Sequence, residues 1–253
     1  MQPQHEFTVE LPIGVADDRG QPHKRAAIRK MRGHEESLLY DRTLGPTALA
    51  SQLIAGTLLR VGEIAEPGPD LVDRMYSADR NFLLLQIRRI TLGDRLTAGY
   101  LCPACGEDVS VLEDLGAVPV RELDDDEDPE SIEVGLEDGY TDREGNVHST
   151  VVLRLPRGDD ELFVASMLDH APMKAADALT VRCIQRFGTL PATELQAYGV
   201  AILRDLTLGD RLRIQRALTD EAPGASLRRT LRCGACGSRF ERLLDVSDFF
   251  LPC

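Results

Sequence analysis

The chain of 253 residues is 43% hydrophobic and 28% charged, and its formal net charge is −13. Such a balance is ordinary for a globular protein with a real core, whereas the excess of acids weighs against nucleic acid as the main partner. No run approaches the roughly 20 apolar residues of a membrane helix. The segment Met1–Glu6 has neither the basic start nor the apolar run of a signal peptide, so we expect the protein in the cytoplasm.

The first part of the chain is predicted to fold as a hairpin followed by helices. Phe7–Ile13 forms an extended segment, an Asp-x-x-Gly sequence suits a turn, and Ala26–Met31 forms a second strand. An Arg-Gly pair and acidic residues then favour a helix start, and an apolar stripe from Leu49 to Val61 predicts a helix in the middle. A last helix contains Phe82–Ile87, and Gly93 can stop it.

A Cys-x-x-Cys-Gly knuckle follows at Cys102 and Cys105, between strands predicted for Ala98–Leu101 and Val109–Leu112. Beyond it, the segment 122–130 contains seven acids and no base, which is typical of a solvated linker. We therefore divide the chain into a first repeat, 1–121, the acidic linker, 122–130, and a second repeat, 131–253.

The second part of the chain repeats the first in the same order. The matched residues around the hairpin are Gly14, Asp17, Gly20, His23, Arg29, Arg32, Gly33 and Glu36, which recur at an offset of 125 as Gly139, Asp142, Gly145, His148, Arg154, Arg157, Gly158 and Glu161. The later matches are Arg60–Gly62 with Arg186–Gly188, Ile90–Leu96 with Leu206–Leu212, and Leu101–Gly106 with Arg232–Gly237. We expect an α+β fold in which a hairpin–helices–knuckle unit occurs twice with pseudo-two-fold symmetry. Gly209 would end a helix as Gly93 does, and about fifteen inserted residues would lie between Leu212 and Leu227.

Four cysteines form the candidate metal site: Cys102, Cys105, Cys233 and Cys236. Two intervening residues bring the thiolates of each pair together, and the glycine after the second cysteine provides the backbone freedom that the turn needs. Because structural zinc is almost always four-coordinate, we predict one zinc ion with four cysteine ligands, shared by both knuckles, although 127 residues separate Cys105 from Cys233. Two alternatives stay open: a redox Cys-x-x-Cys, which would stand at a helix N-terminus, and loss of the metal from one or both knuckles.

No catalytic constellation stands out in the sequence. It contains no G-x-S-x-G, H-E-x-x-H, P-loop or glycine-rich dinucleotide motif, so we expect no enzyme. His23 and His148 recur beyond the hairpin turn, where a hydrogen-bonding surface residue is the ordinary explanation. The recurring Gly-Asp-Arg-Leu is typical of a helix stop with a local Asp–Arg pair. Cys183 lies on an apolar helical face and is predicted to pack in the core.

Several short motifs carry a resemblance to a known family: Asn81–Arg88, Thr91–Asp94, the first knuckle and Asp114–Val120. In this order they resemble the baseplate hub and hub-assembly proteins of T-even-type contractile phage tails, relatives of which are encoded with phage-derived contractile injection systems. The opening Leu-Pro-x-Gly, Asp-x-x-Gly-x-x-His and Arg pattern is similar to small tail-assembly proteins of such clusters. The resemblance implies a non-enzymatic structural or chaperone-like role with hub or tube proteins as partners. It leaves open whether the mature particle retains the protein.

A second class of function also remains open. Arginines cluster around the second knuckle: Arg228, Arg229, Arg232, Arg239 and Arg242. A basic face of this kind would suit a zinc-ribbon adaptor that binds nucleic acid. An electrostatic contact with an acidic partner or with the linker is the other explanation of these arginines.

Overall fold

The computed structural model describes residues 5–17, 20–168, 170–244 and 249–250. Helices and strands are mixed, which confirms the predicted α+β class. The strands, in chain order, are β1 (Phe7–Ala16), β2 (Pro22–Ile28), β3 (Leu58–Val61), β4 (Ile64–Ala65), β5 (Arg95–Leu101), β6 (Asp108–Asp114), β7 (Val120–Arg121), β8 (Ile132–Thr141), β9 (Val147–Leu153), β10 (Ile184–Phe187), β11 (Gly224–Ala225), β12 (Arg228–Arg232) and β13 (Arg239–Leu243). The helices are α1 (Gly33–Leu38), α2 (Pro46–Thr57), α3 (Pro69–Arg74), α4 (Ser77–Leu92), α5 (Gly158–Leu168), α6 (Pro172–Cys183), α7 (Ala192–Asp205) and α8 (Leu208–Thr219).

The described chain forms two compact units. The first contains the described residues up to Val72, the segment Ala78–Glu122 and the described residues from Gly224 onward. The second contains Asp73–Ser77 and Leu123–Pro223. The second knuckle therefore belongs to the first unit, whereas the sequence groups it with a repeat that spans 131–253. Compactness and sequence repetition divide the chain differently, and the repeat boundaries stay a prediction.

The first unit is built on a four-stranded antiparallel sheet in the order β1-β2-β3-β4. The predicted hairpin is present as β1 and β2, although the second strand begins and ends earlier than predicted. Leu11, Ile28, Ile54 and Val61 are fully buried and contribute to its core. Burial of such side chains is the main term that stabilises a sheet against its helices.

The helix predicted from Leu49 to Val61 is α2, but this helix ends at Thr57 and the next four residues form β3. The prediction was wrong in this part because Leu58 and Val61 are both buried and lie three residues apart, a spacing that also fits a helix. Val61 instead lies opposite Ala26 on β2. A long-range strand pairing thus ends the helix.

A buried carboxylate connects α4 to the sheet of the first unit. Asp79, in the first turn of α4, accepts hydrogen bonds from the backbone N–H groups of Ile13 and Gly14, each at 2.9 Å. These donors lie where the pairing of β1 with β2 is interrupted, and the φ of 103° at Gly14 suits glycine. Burial raises the pKa of Asp79 to about 6, although the two N–H groups and Lys24 favour its charged form.

The second unit contains a three-stranded antiparallel sheet in the order β10-β9-β8. Its core includes buried side chains from the strands and from α7 and α8: Leu136, Val151, Phe187, Ile202 and Ile214. Cys183 is fully buried at the end of α6, as predicted. In the described part of the chain, no helix has both the length and the apolar character that crossing a bilayer requires.

The start of α8 corrects the prediction for Gly209. This glycine lies in the first turn of α8 and does not end α7, which already stops at Asp205. The Thr207 side chain accepts a hydrogen bond from the Asp210 N–H, so the Thr-Leu-Gly-Asp sequence begins a helix here. By contrast, Gly93 follows α4 with a φ of 88°, as predicted for a helix stop.

Asp210 connects α8 to β8 as Asp79 connects α4 to β1. Its carboxylate accepts the backbone N–H groups of Glu137, Asp138 and Gly139 at 2.7–3.1 Å. Burial would raise the pKa of Asp210, but these three donors outweigh it and the pKa is lowered. Arg211, which follows Asp210 in the recurring motif, does not pair with it and forms an ion pair at 2.6 Å with Asp177 of α6.

Candidate metal centre

The four predicted cysteines lie on two hairpins of the first unit. β5 pairs with β6 around the first knuckle, and β12 pairs with β13 around the second, both antiparallel. The short strands β7 and β11 pair with each other, and the N–H of Ser226 donates to the carbonyl of Pro119 at 2.8 Å. The chain therefore re-enters the first unit beside the end of the first hairpin.

Each knuckle closes with the same backbone hydrogen bonds. The Gly106 N–H donates to the Cys102 carbonyl at 2.9 Å, and the Cys102 N–H donates to the Glu107 carbonyl at 2.9 Å. The same two bonds recur around Cys233 at 3.0 and 2.9 Å. Gly106 and Gly237 both have a φ of 73°, a left-handed conformation that glycine adopts without strain. The two turns thus present their sulfurs in the same way.

The four sulfurs lie within 4.8 Å of one another. The Sγ atoms of Cys102 and Cys236 are 3.7 Å apart, as are those of Cys105 and Cys233. These separations far exceed the roughly 2.05 Å of a disulfide bond. They are close to the edge of about 3.8 Å that a tetrahedron of sulfurs has when each lies roughly 2.3 Å from a central ion. The arrangement can hold one ion between the two hairpins.

The cysteines differ in burial, and the pKa values of Cys102 and Cys105 are shifted in opposite directions. Cys102 and Cys233 are buried, whereas Cys105 and Cys236 are exposed. Burial would raise the pKa of Cys102, but the backbone N–H groups of Ala104 and Cys105 outweigh it and lower the pKa to about 7. The Glu107 N–H lowers the pKa of Cys105, yet the surrounding sulfurs, Cys236 foremost, and burial raise it overall to about 12. A cation among these sulfurs would favour the thiolate form of all four.

A buried ion pair supports the two hairpins beside the cysteines. The Arg229 Nε donates to Glu113 at 2.8 Å, and the Tyr100 hydroxyl donates to the other carboxylate oxygen at 2.9 Å. Arg242 also donates to the carbonyl of Leu101, at 3.4 Å. Arg229 and Arg242 belong to the arginine cluster noted in the sequence, whereas Glu113 was not expected there. Its signal was the alternation along β6, which puts Glu113 on the inward face.

Residues 47–251 match the family model described as T4 bacteriophage base plate protein. The chain belongs to this family. The matched range includes both knuckles, and the predicted resemblance to phage baseplate proteins is confirmed. No curated protein and no solved structure gives a significant match. Membership of the baseplate family indicates a structural role in assembly, and it indicates contacts with other baseplate components.

The recurring histidines of this baseplate-family chain do not join the cysteine cluster. His23 Nε2 lies 3.3 Å from Asp17, and His148 Nε2 lies 3.1 Å from Asp142. Each pair links the two strands of its hairpin next to the turn. The surface position predicted for His148 was wrong, because this side chain is only 4% exposed and its Nδ1 accepts the Thr189 N–H at 3.3 Å.

Proposed function

We propose that the protein is a non-enzymatic structural or chaperone-like protein for the baseplate or hub of a contractile phage tail or injection system, and that its four cysteines hold one structural zinc. The family match over residues 47–251 supports the class of function. The observation that carries the metal part is the approach of four sulfurs from two hairpins to within 4.8 Å. Hub or tube proteins of the tail are the partners proposed.

Zinc is the metal that this donor set favours. Four sulfurs in a tetrahedron are the ligands of zinc or of iron. Because protein sulfurs would fill all four positions, the site has the closed arrangement of structural zinc and keeps no position for a reacting water. Elemental analysis of protein purified without added metal should give one zinc per chain, and X-ray absorption should give sulfur ligands at roughly 2.3 Å. A purified protein that is free of metal and equally stable would overturn the zinc site.

The proposal includes a tandem duplication, which the element boundaries support. β1 and β8 differ by 125 residues at both ends, and so do β2 and β9. α2 and α6 differ by 126 residues at both ends, and so do β3 and β10. α4 and α8 begin 131 residues apart, which is also the separation of Cys102 from Cys233 and of Cys105 from Cys236.

Equivalent contacts recur at the same offsets and support the same alignment. The Arg29 N–H donates to the Thr57 carbonyl, as the Arg154 N–H donates to the Cys183 carbonyl. The Arg80 side chain donates to Ser51, as the Arg211 side chain donates to Asp177. Asp79 and Asp210 both accept backbone N–H groups. Under this alignment, Ile90–Leu96 and Leu206–Leu212 are not equivalent. The five extra residues of the second copy then lie before α8, instead of about fifteen after Leu212.

Deletion of the gene tests the assembly role. We expect no complete contractile tails by electron microscopy, and recovery when the wild-type gene is supplied in trans. Mass spectrometry of purified tails then separates two forms of the role, because a structural component would be present at a fixed ratio and a chaperone would be absent. Normal tails in the deletion strain would overturn both forms.

The nucleic-acid alternative has weaker support. Arg228 forms an ion pair with Glu241 at 3.1 Å, and Arg229 forms one with Glu113 at 2.8 Å. The other arginines of the cluster belong to a chain whose net charge of −13 opposes the approach of a phosphate backbone. Strong, salt-sensitive binding in a gel-shift assay would be needed to restore this alternative.

A further inference from the structure

The hairpin of β12 and β13 has one face that neither the metal centre nor the core uses. Leu231 and Phe240 lie opposite each other and are buried, so the residues that alternate with them face outwards. The outward-facing cross-strand pairs, which we call the outer face, are Arg228 with Leu243, Thr230 with Glu241, and Arg232 with Arg239.

Two arginines of the outer face form no ion pair with any residue that the structure describes. Arg232 and Arg239 are both exposed and lie directly opposite each other, an arrangement of like charges that destabilises a strand pair. The turn itself does not require arginine at these places, since Leu101 and Asp108 lie opposite each other beside the first knuckle. Among the residues that the structure describes, no carboxylate neutralises these two guanidinium groups, which leaves them available to an external anion.

The second knuckle holds the backbones of these two arginines in place. Arg232 directly precedes Cys233, and Arg239 follows Ser238, whose carbonyl accepts the Cys233 N–H at 2.9 Å. A fixed backbone lowers the entropy that must be lost on binding. Leu243 is 67% exposed on the same face, opposite Arg228 at the other end of the hairpin, and the pair of Thr230 and Glu241 lies between it and the two arginines. Arginine forks bind carboxylates bidentately, and arginine is enriched among the residues that dominate protein–protein binding energy.

We propose that the outer face is a docking surface for a protein segment rich in Asp and Glu. Its carboxylates pair with Arg232 and Arg239, and an apolar side chain covers Leu243. This inference rests on the proposed assembly role and specifies the chemistry of one partner. A protein segment is favoured over nucleic acid because the exposed leucine offers nothing to a phosphate backbone, and because the net charge of −13 repels a long polyphosphate more strongly than a short acidic segment.

Fluorescence anisotropy with the full-length, metal-loaded protein tests the proposal. The probes are a short labelled peptide of alternating Glu and Leu and a labelled oligothymidylate of the same net charge. The test variant is Arg232→Glu/Arg239→Glu. The matched control is Arg143→Glu/Arg186→Glu, which reverses the same number of charges at two exposed arginines of the second unit. We expect the test variant to bind the peptide more weakly than wild type by about tenfold or more, and the control to bind it as wild type does.

Zinc content and unfolding temperature are measured for both variants, so that a loss of binding is read only from folded protein. If charge reversal unfolds the hairpin, Arg232→Gln/Arg239→Gln takes its place. Equal peptide affinities of the test and control variants would overturn the docking surface. Tighter binding of the oligothymidylate, lost in the test variant, would assign the face to nucleic acid and would also overturn it. If either result is obtained and the gene deletion still prevents tail assembly, the docking surface is wrong but the proposed assembly role is not.

Discussion

Replacing one cysteine of the cluster should remove the whole metal ion. Cys105→Ser and Cys236→Ser change the two exposed ligands, one from each hairpin, and leave three sulfurs in either variant. In the proposed site both hairpins contribute ligands to one tetrahedron, so we expect the zinc content to fall from one per chain to nearly none in both variants. Separate ions in the two knuckles would instead leave about half of the metal after a single substitution.

The loss of stability can be worked out from linkage. Zinc that binds only the folded chain stabilises it by about 4 kcal/mol when free zinc is 1,000 times the Kd. The unfolded chain holds the ion poorly, since Cys105 and Cys233 are 128 positions apart. Closing a loop of that length costs roughly 5 kcal/mol of chain entropy. For a chain of this size, 1 kcal/mol shifts the unfolding temperature by about 2–4 °C, so we expect a fall of roughly 8–16 °C.

Thermal unfolding followed by circular dichroism, with and without a chelator, measures this effect. The chelator should bring wild type down to the temperature of the variants and should leave the variants unchanged. Cys183→Ala is the matched control, because Cys183 is buried outside the cluster and its loss should cost packing energy but no zinc. Full zinc content in Cys236→Ser, or a chelated wild type that unfolds at its original temperature, would contradict one shared structural ion.

Three further predictions test the fold. The pKa of Asp79 is raised to about 6 in the folded state, so its contribution to stability, at most about 3 kcal/mol, is complete below pH 4 and lost as the pH rises through 6. Asp79→Asn should remove this pH dependence of the free energy of unfolding in urea. An unchanged pH dependence would contradict the prediction. Arg154→Met should cost about 2 kcal/mol in the same assay, because it takes a partner at 2.6 Å from the buried Asp160 while Arg182 stays at 2.8 Å, and a loss under half of that would be too small. Gly62→Ala should unfold at a lower temperature than Gly20→Ala. Both glycines have a positive φ, but a Cβ at Gly62 would lie 2.4 Å from the imidazole of His23, whereas a Cβ at Gly20 would meet nothing within 4 Å. Equal unfolding temperatures would show that the crowding is relieved.

The hairpins and the two Cys-x-x-Cys-Gly turns could be predicted because their signals are local. The strands beside the first knuckle follow from alternation, since Leu96, Ala98 and Tyr100 are buried and the residues between them are exposed. The turn follows from the spacing of two cysteines and a glycine. The support that Glu113 and Arg229 provide could not be predicted, because the two residues are 116 positions apart and neither belongs to a repeated motif.

The match between helix starts that supports the proposed duplication was also beyond the sequence. Sequence similarity matched the end of α4 with the start of α8, because Thr-Leu-Gly-Asp occurs at both places. In the proposed duplication the two helix starts are matched by a contact, a buried carboxylate that accepts N–H groups from a distant strand. Asp79 and Asp210 share that contact although the residues around them differ.

By itself, the sequence determined the α+β class and the two pairs of cysteines, because a period of two and a Cys-x-x-Cys-Gly turn each depend on a few neighbouring residues. The sequence could only suggest that the pairs meet, and the folded chain shows that they do and that the second knuckle belongs to the first unit. That outcome depends on the pairing of β7 with β11 and on the Arg229–Glu113 ion pair. Both join segments more than one hundred residues apart, and no local pattern along the chain specifies such a contact.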